Sequence, residues 1–303
     1  MKASVDTVAL AGRLADRLRL VSLDLTPLDV KCAWPVFRGT CFGRDPLFVK
    51  LTAPAAAERA LSFLLEAAGR CDLLPRPVLA EPLEFGGLSV LCLEWKPARQ
   101  VNAEDMTDAQ RTSFLDGCLR LSAAMAGYGG AVAAPSGDDP DAYYAKLADY
   151  ASRHWAAGRL LRPLLLVPEG ERTYRGRTLV TIHGDLQPRN YGFDGDRFAA
   201  VFDTDDLTKG LPCEDATYAF AERIRRSELP ERKRVRALRG FLRMAADSPW
   251  PKDEWLVAVN HARLRIAARR LGKHPDSPFV AFDIARRDKP LRRLADALKE
   301  GHA

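Results

Sequence analysis

Hydrophobic and polar positions along the chain change period several times, and each change marks a predicted element. From about Val5 to Leu20, apolar residues recur at helical spacing among Asp6, Asp16 and several arginines, which predicts an amphipathic helix. Leu23–Leu51 instead tends toward alternation, with extended runs at Leu23–Thr26, Pro35–Phe42 and Leu47–Leu51. The cluster Gly43–Pro46 supplies a turn, so three antiparallel strands are expected there. Ala53–Gly69 is Ala-rich, with Pro54 near its start and Gly69 at its end, as a helix prefers. Val78–Phe85 and Leu88–Glu94 follow as a hairpin turned at Gly86-Gly87, completing a five-stranded sheet that Pro97 ends.

Beyond Pro97 the period is mostly helical. Thr107–Met125 places Phe114, Leu115, Cys118, Leu119 and Leu121 on one face. Asp141–Leu166 predicts a helix with a break around Gly158, after a Gly/Pro/Asp-rich loop at Ala126–Pro140. Four more helices are expected at Asp215–Arg226, Arg232–Ala246, Lys252–Leu271 and Lys289–Lys299, with loops at Ser248–Pro251 and His274–Pro278. Two short apolar runs interrupt this pattern. Leu179–Ile182 and Phe198–Phe202 read as strands, and Asp194-Gly195 between them is a turn signal.

Composition narrows the class. A chain of 303 residues can bury a substantial core, as one large or two modest domains. No apolar run reaches the length that crosses a bilayer, and the opening stretch lacks the uninterrupted apolar segment of a signal peptide. Six cysteines lie scattered without CxxC or CxxH spacing, so reduced thiols in the cytoplasm are expected rather than a zinc site. The net charge of +6 is concentrated in Arg223–Arg243, Arg263–Lys273 and Arg286–Arg293. These runs read first as solvated helix faces, and second as a basic cleft for an anionic substrate or nucleic acid. The excess weighs against a polycationic substrate. The expected partner is a small molecule, with no membrane and no nucleic acid.

The chemistry concentrates in Thr181–Asp206. His183, Asp185 and Asn190 fall on the loop after the first short strand, and Asp203 falls where the second one ends. Two carboxylates and an amide oxygen make a hard, oxygen-rich donor set suited to Mg²⁺ together with phosphate oxygens. One carboxylate can hold the ion while the other accepts a proton from an attacking hydroxyl.

The run His183-Gly-Asp185-Leu-Gln-Pro188-Arg-Asn190 resembles the catalytic loop of the aminoglycoside phosphotransferase and choline kinase group, relatives of the protein kinases. Asp203 falls where that group keeps its metal-binding Asp. Gly210-Leu-Pro-Cys-Glu-Asp215-Ala resembles its downstream segment, whose Asp braces the loop. The resemblance implies an α+β, protein-kinase-like bilobal fold. A small N-terminal lobe (1–94) would hold a five-stranded antiparallel sheet and one main helix, and a larger, mostly helical lobe (95–303) would carry the catalytic loop. It further implies transfer of the γ-phosphate of ATP, with GTP left open, to a hydroxyl of an aminoglycoside, sugar, amino alcohol or other antibiotic or metabolite.

Residue roles follow from the same resemblance. Asp185 would be catalytic, Asn190 and Asp203 would hold Mg²⁺, His183 would be structural and Asp215 would brace the loop. Lys50 matches the strand lysine that contacts ATP phosphates, pinned by Glu58 with Glu66 in reserve. The backbone at Glu94 and Trp95 would read the adenine edge. Asp205, Asp206 and the loop near Tyr143-Tyr144 are candidates for lining the acceptor site. One departure stands out: Val30–Pro35, with Gly39 further on, offers no GxGxxG cradle for phosphates. A protein kinase is the first alternative, although no APE-like segment is present. The second is a catalytically idle nucleotide-binding module.

Overall fold

The computed structural model describes residues 5–29, 34–129, 139–275, 277 and 279–301, with Asp206 described by its backbone alone. Two compact units make up the described chain. Residues up to Arg99, a short segment around Tyr128 and Ala199–Asp205 form the first, and the rest form the second.

The first unit opens with α1 (Thr7–Leu18). The Asp6 carboxylate accepts hydrogen bonds from the N–H groups of Val8 and Ala9 at 3.1 and 3.0 Å, capping the helix start. Then come β1 (Asp24–Pro27), β2 (Val36–Thr40), β3 (Leu47–Thr52), α2 (Pro54–Ala67), β4 (Leu83–Phe85) and β5 (Leu88–Glu94). The strands form one antiparallel sheet in the order β1-β2-β3-β5-β4. The expected strand from Val78 shrinks to β4, leaving only an isolated bridge between Pro77 and Leu93. Side-chain alternation gives β3 two distinct faces. Val49 and Leu51 pack with Leu10 and Leu14 of α1 and with Phe37, Val90 and Cys92. Lys50 pairs with Val36 on one side and Leu91 on the other, so it shares the opposite face with Leu91, which packs on Ala57, Ala60 and Leu61 of α2.

The second unit contains α3 (Asp108–Ala126), α4 (Pro140–Arg153), α5 (Trp155–Leu165), β6 (Val180–Ile182) and β7 (Tyr191–Asp194). The strand β8 (Arg197–Val201) forms a hairpin with β7 and carries the chain into the first unit. Gly195 in its turn has φ of 59°, a conformation that suits glycine. After it come β9 (Thr208–Gly210), α6 (Glu214–Ile224), α7 (Glu231–Asp247), α8 (Lys252–Lys273) and α9 (Val280–Glu300). β9, three residues long and too short for periodicity to mark, pairs antiparallel with β6.

Two helix expectations need correction. The break after α4 lies at His154, whose φ/ψ of −131°/87° is not helical, and Gly158 continues inside α5. The last helix begins at Val280 rather than Lys289, because Val280, Ala281 and Ile284 extend the apolar stripe of Leu291, Leu294 and Leu298. Among the described residues no helix is long and apolar enough to cross a membrane.

Aromatic and ionic contacts hold this unit together. Phe114 meets Tyr191 and Phe198 at ring-centroid distances of 5.1 and 5.0 Å. Arg223 of α6 binds Glu104 with Nε–Oε2 at 2.8 Å, and Arg263 of α8 binds Asp288 of α9 at 2.7 and 3.0 Å. All four are buried, so removing one partner leaves a charge without compensation, at a cost of about 3–5 kcal/mol.

A Cβ at Gly117 of α3 would collide with the Phe198 ring, whereas one at Gly12 of α1 meets nothing within 4 Å. Gly117→Ala is expected to cost about 1–3 kcal/mol by overpacking. Gly12→Ala is expected to stabilise by about 0.4–1 kcal/mol. Denaturant unfolding of both variants checks the pair.

Candidate active site

The candidate groups fall into two sets, one in each unit. In the first, β3 carries Lys50 at the middle of the sheet, with its side chain only 8% exposed. The chain leaving β8 is fastened nearby: Val201 N–H donates to the Leu73 carbonyl at 2.9 Å, and Phe202 stacks on Phe48 of β3 at 6.2 Å. That anchorage brings two carboxylates to the lysine. Its ammonium pairs with Asp203 and, at 2.7 Å, with Asp205. Asp205 Oδ2 also accepts the Thr52 hydroxyl at 3.2 Å. Asp203 sits at φ of 63°, the left-handed region that Asp tolerates better than most residues.

Burial works to lower the Lys50 pKa, but Asp203 first and Asp205 after it outweigh burial. The net result lies above the ordinary 10.5. Because the folded value is raised, the ammonium's contribution to stability is complete below the unfolded lysine's range. It is lost only as pH climbs through the higher folded value.

The second set lies on the loop after β6. The Asp215 carboxylate, at the start of α6, accepts the N–H groups of His183 and Gly184 at 2.8 and 2.9 Å, while Arg265 donates to the Gly184 carbonyl at 2.6 Å. Burial pushes the Asp215 pKa up, and His183 and these two N–H groups oppose it. His183 is fully buried, and its Nδ1 accepts the Asp185 N–H at 3.2 Å. A ring nitrogen spent on the loop backbone is a structural histidine's arrangement.

Asp185 is buried and oriented through one oxygen. Its Oδ2 accepts from Gln187 at 2.7 Å, Asn190 at 3.1 Å and Arg189 at 3.4 Å. Among the described residues Oδ1 takes no hydrogen bond, which leaves it for an incoming proton. Asn190 Nδ2 also donates to the Asp185 carbonyl at 2.8 Å, so its amide oxygen turns away from the loop. The loop thus holds the Asp185–Asn190 pair rigidly.

Several expected residues do not take their assigned places. Glu58 is exposed and makes no ion pair among the described residues, and Glu66 pairs with Arg70 at 3.0 Å, so α2 gives Lys50 no carboxylate. The Glu94 N–H donates to the Arg76 carbonyl at 2.8 Å and the Trp95 N–H to Pro46 at 3.2 Å. Both N–H groups are therefore spent, and only carbonyls at these residues could meet an adenine. Tyr143 is buried against the His261 ring and Tyr144 donates to the Leu165 carbonyl at 3.1 Å, so both belong to helix packing. Val30–Ala33 of the glycine-poor loop and the Asp206 side chain lie outside the described residues.

The sequence reading missed Thr52, Gln187, Arg189 and Arg265 as supports. Only Thr52 carried a signal, standing two residues from Lys50 and hence on the same strand face.

The donor chemistry fits a divalent ion that also takes phosphate oxygens. Among the described residues no group of three or more His, Cys, Asp or Glu could hold a metal by itself. Mg²⁺ needs no such cage, because it binds through one or two carboxylates with phosphates and water. The Asp203 carboxylate of the first unit and, taken by itself, the Asn190 amide oxygen of the second are each of that chemical kind.

Two outcomes are expected here. Asp215→Ala orphans two buried N–H groups at about 1–3 kcal/mol each, which thermal unfolding would register. In a titration followed at lysine Nζ by NMR, Lys50 should release its proton after the exposed lysines. A Lys50 midpoint below theirs would contradict the pairing.

Comparison with known proteins gives a family and a set of structural neighbours. The model of the APH family, described as the phosphotransferase enzyme family, matches residues 36–256. Among solved structures, the chain is similar to macrolide 2'-phosphotransferase MphH from Brachybacterium faecium, at 20% identity over 96% of this chain and 97% of that one, with a TM-score of 0.59. It is also similar to a thermostable mutant of aminoglycoside phosphotransferase APH(4)-Ia in ternary complex with ADP and hygromycin B. There the identity is 18% over 94% and 98% of the chains, with a TM-score of 0.59. Amicoumacin kinase hAmiN, in complex with AMP-PNP, Ca²⁺ and Ami, gives 13% identity over 89% and 88%, with a TM-score of 0.60. At these identities the likeness establishes the fold. A search of curated proteins finds no match.

Proposed function

The chain belongs to the phosphotransferase enzyme family, and on that premise we propose that it transfers the γ-phosphate of ATP to a hydroxyl of a small molecule with the help of Mg²⁺. Residues 1–94 would serve as the nucleotide-binding lobe and 95–303 as the lobe carrying the catalytic loop. The observation that carries this reading is the Asp185–Asn190 loop, with one carboxylate oxygen held by three donors and the other, among the described residues, left for a proton.

Asp185 Oδ1 would accept or orient the proton of the attacking hydroxyl, the task of a general base. Lys50 would neutralise charge on the nucleotide phosphates. Asp203 and Asn190 would give oxygens to Mg²⁺, which when bound supplies charge neutralisation to the transferring phosphoryl group. Asp215 would keep the loop in place. Most of the rate in such chemistry comes from positioning and fixed electrostatics, which a buried, hydrogen-bonded loop provides.

Support for nucleotide and acceptor comes from the solved relatives. One was captured with AMP-PNP and Ca²⁺, and another with ADP and hygromycin B. The acceptor is proposed to be an antibiotic, sugar or amino alcohol, and the net charge of +6 disfavours a polycation. A reaction fuelled by ATP is proposed to run in the cytoplasm.

The test is transfer of the labelled γ-phosphate from Mg·ATP to a panel of macrolides, aminoglycosides, sugars and amino alcohols. Label should reach a small molecule, and Asp185→Asn should lower the rate by about 10²–10⁴-fold while the protein stays folded. Label appearing on protein instead would favour a protein kinase, and wild-type turnover from Asp185→Asn would remove its role.

A further inference from the structure

We infer that Asp205, rather than a carboxylate from α2, positions the Lys50 ammonium for nucleotide, an inference that rests on the phosphotransferase reading. A buried ammonium needs a lasting counter-charge, since an unpaired one is costly to keep from water. Among the described residues two carboxylates reach Lys50, both from the short turn around Thr204. Under the proposed function Asp203 would also hold Mg²⁺, and a carboxylate shared with a divalent cation would neutralise lysine less well. Asp205 then remains as the partner dedicated to Lys50.

The surroundings of Asp205 fit that task. Its Oδ2 takes both the Lys50 ammonium and the Thr52 hydroxyl, at 2.7 and 3.2 Å. Lys50 and Thr52 alternate on one face of β3, so a single rigid strand presents both donors to one oxygen. The Asp205 side chain is 18% exposed against 35% for Asp203, which makes it the drier of the two carboxylates. No helix carboxylate competes: Glu58 is exposed without an ion pair among the described residues, and Glu66 is held by Arg70.

Calorimetric binding of Mg·ATP to wild type and to the variants Asp205→Asn, Thr52→Val and Glu58→Gln tests this, together with KM and kcat for transfer. Loss of the charged partner should weaken Mg·ATP binding about tenfold or more and raise KM for ATP in step. Thr52→Val should weaken binding by about two- to fivefold, the loss of one hydroxyl contact, and serves if Asp205→Asn fails to fold. Asp205→Glu should recover part of the affinity, and Glu58→Gln should bind as wild type does. Tight binding by Asp205→Asn, unchanged binding by Thr52→Val, or weakened binding by Glu58→Gln overturns the inference while leaving the phosphotransferase reading intact. A wild-type protein that binds no Mg·ATP overturns that reading and this inference with it.

Discussion

An ammonium held in a nearly dry site by two carboxylates is the interaction on which the first unit's chemistry depends. Lys50 stands at the centre of a five-stranded sheet, where an unpaired cation would be expensive. The protein meets that cost by running residues 199–205 back along the sheet, fastened by the Val201–Leu73 hydrogen bond and the Phe202–Phe48 stack. The arrangement leaves a fixed positive charge with its orientation set in advance. A phosphate can use such a charge without first paying to order a flexible side chain.

The second unit solves a complementary problem by the same means. A loop that must present a carboxylate and an amide cannot rest on side chains alone, because its own backbone N–H groups need acceptors. Asp215 takes two of them and the Asp185 N–H goes to His183. The loop is thereby tied to α6, and α6 is tied to the rest of its unit through the buried Arg223–Glu104 pair. Stability and the presentation of Asp185 are therefore linked through one helix.

Much of this was legible in the sequence, and the reasons differ from place to place. The sheet could be read because β3 and β5 are short apolar runs bounded by glycine or proline. The catalytic loop could be read because its residue types follow one another within a single stretch. Asp205 was noticed, but as a substrate contact, since nothing in a linear pattern says which of two nearby carboxylates will face a lysine far along the chain. Glu58 failed as Lys50's partner for the same reason: its place in α2 is correct, but the rotation of the helix turns it to solvent. β9 and the true start of α9 escaped because the first is three residues long and the second runs through Pro290, a residue that ordinarily marks a helix boundary.

The account stands on Lys50 as a fixed cation for a nucleotide's phosphates, and binding affinity in the presence and absence of Mg²⁺ measures that directly. Wild type should bind ATP more tightly when Mg²⁺ is present, and Lys50→Met should lose about tenfold or more of that affinity while keeping its fold. Equal affinity of the two proteins for Mg·ATP would contradict it.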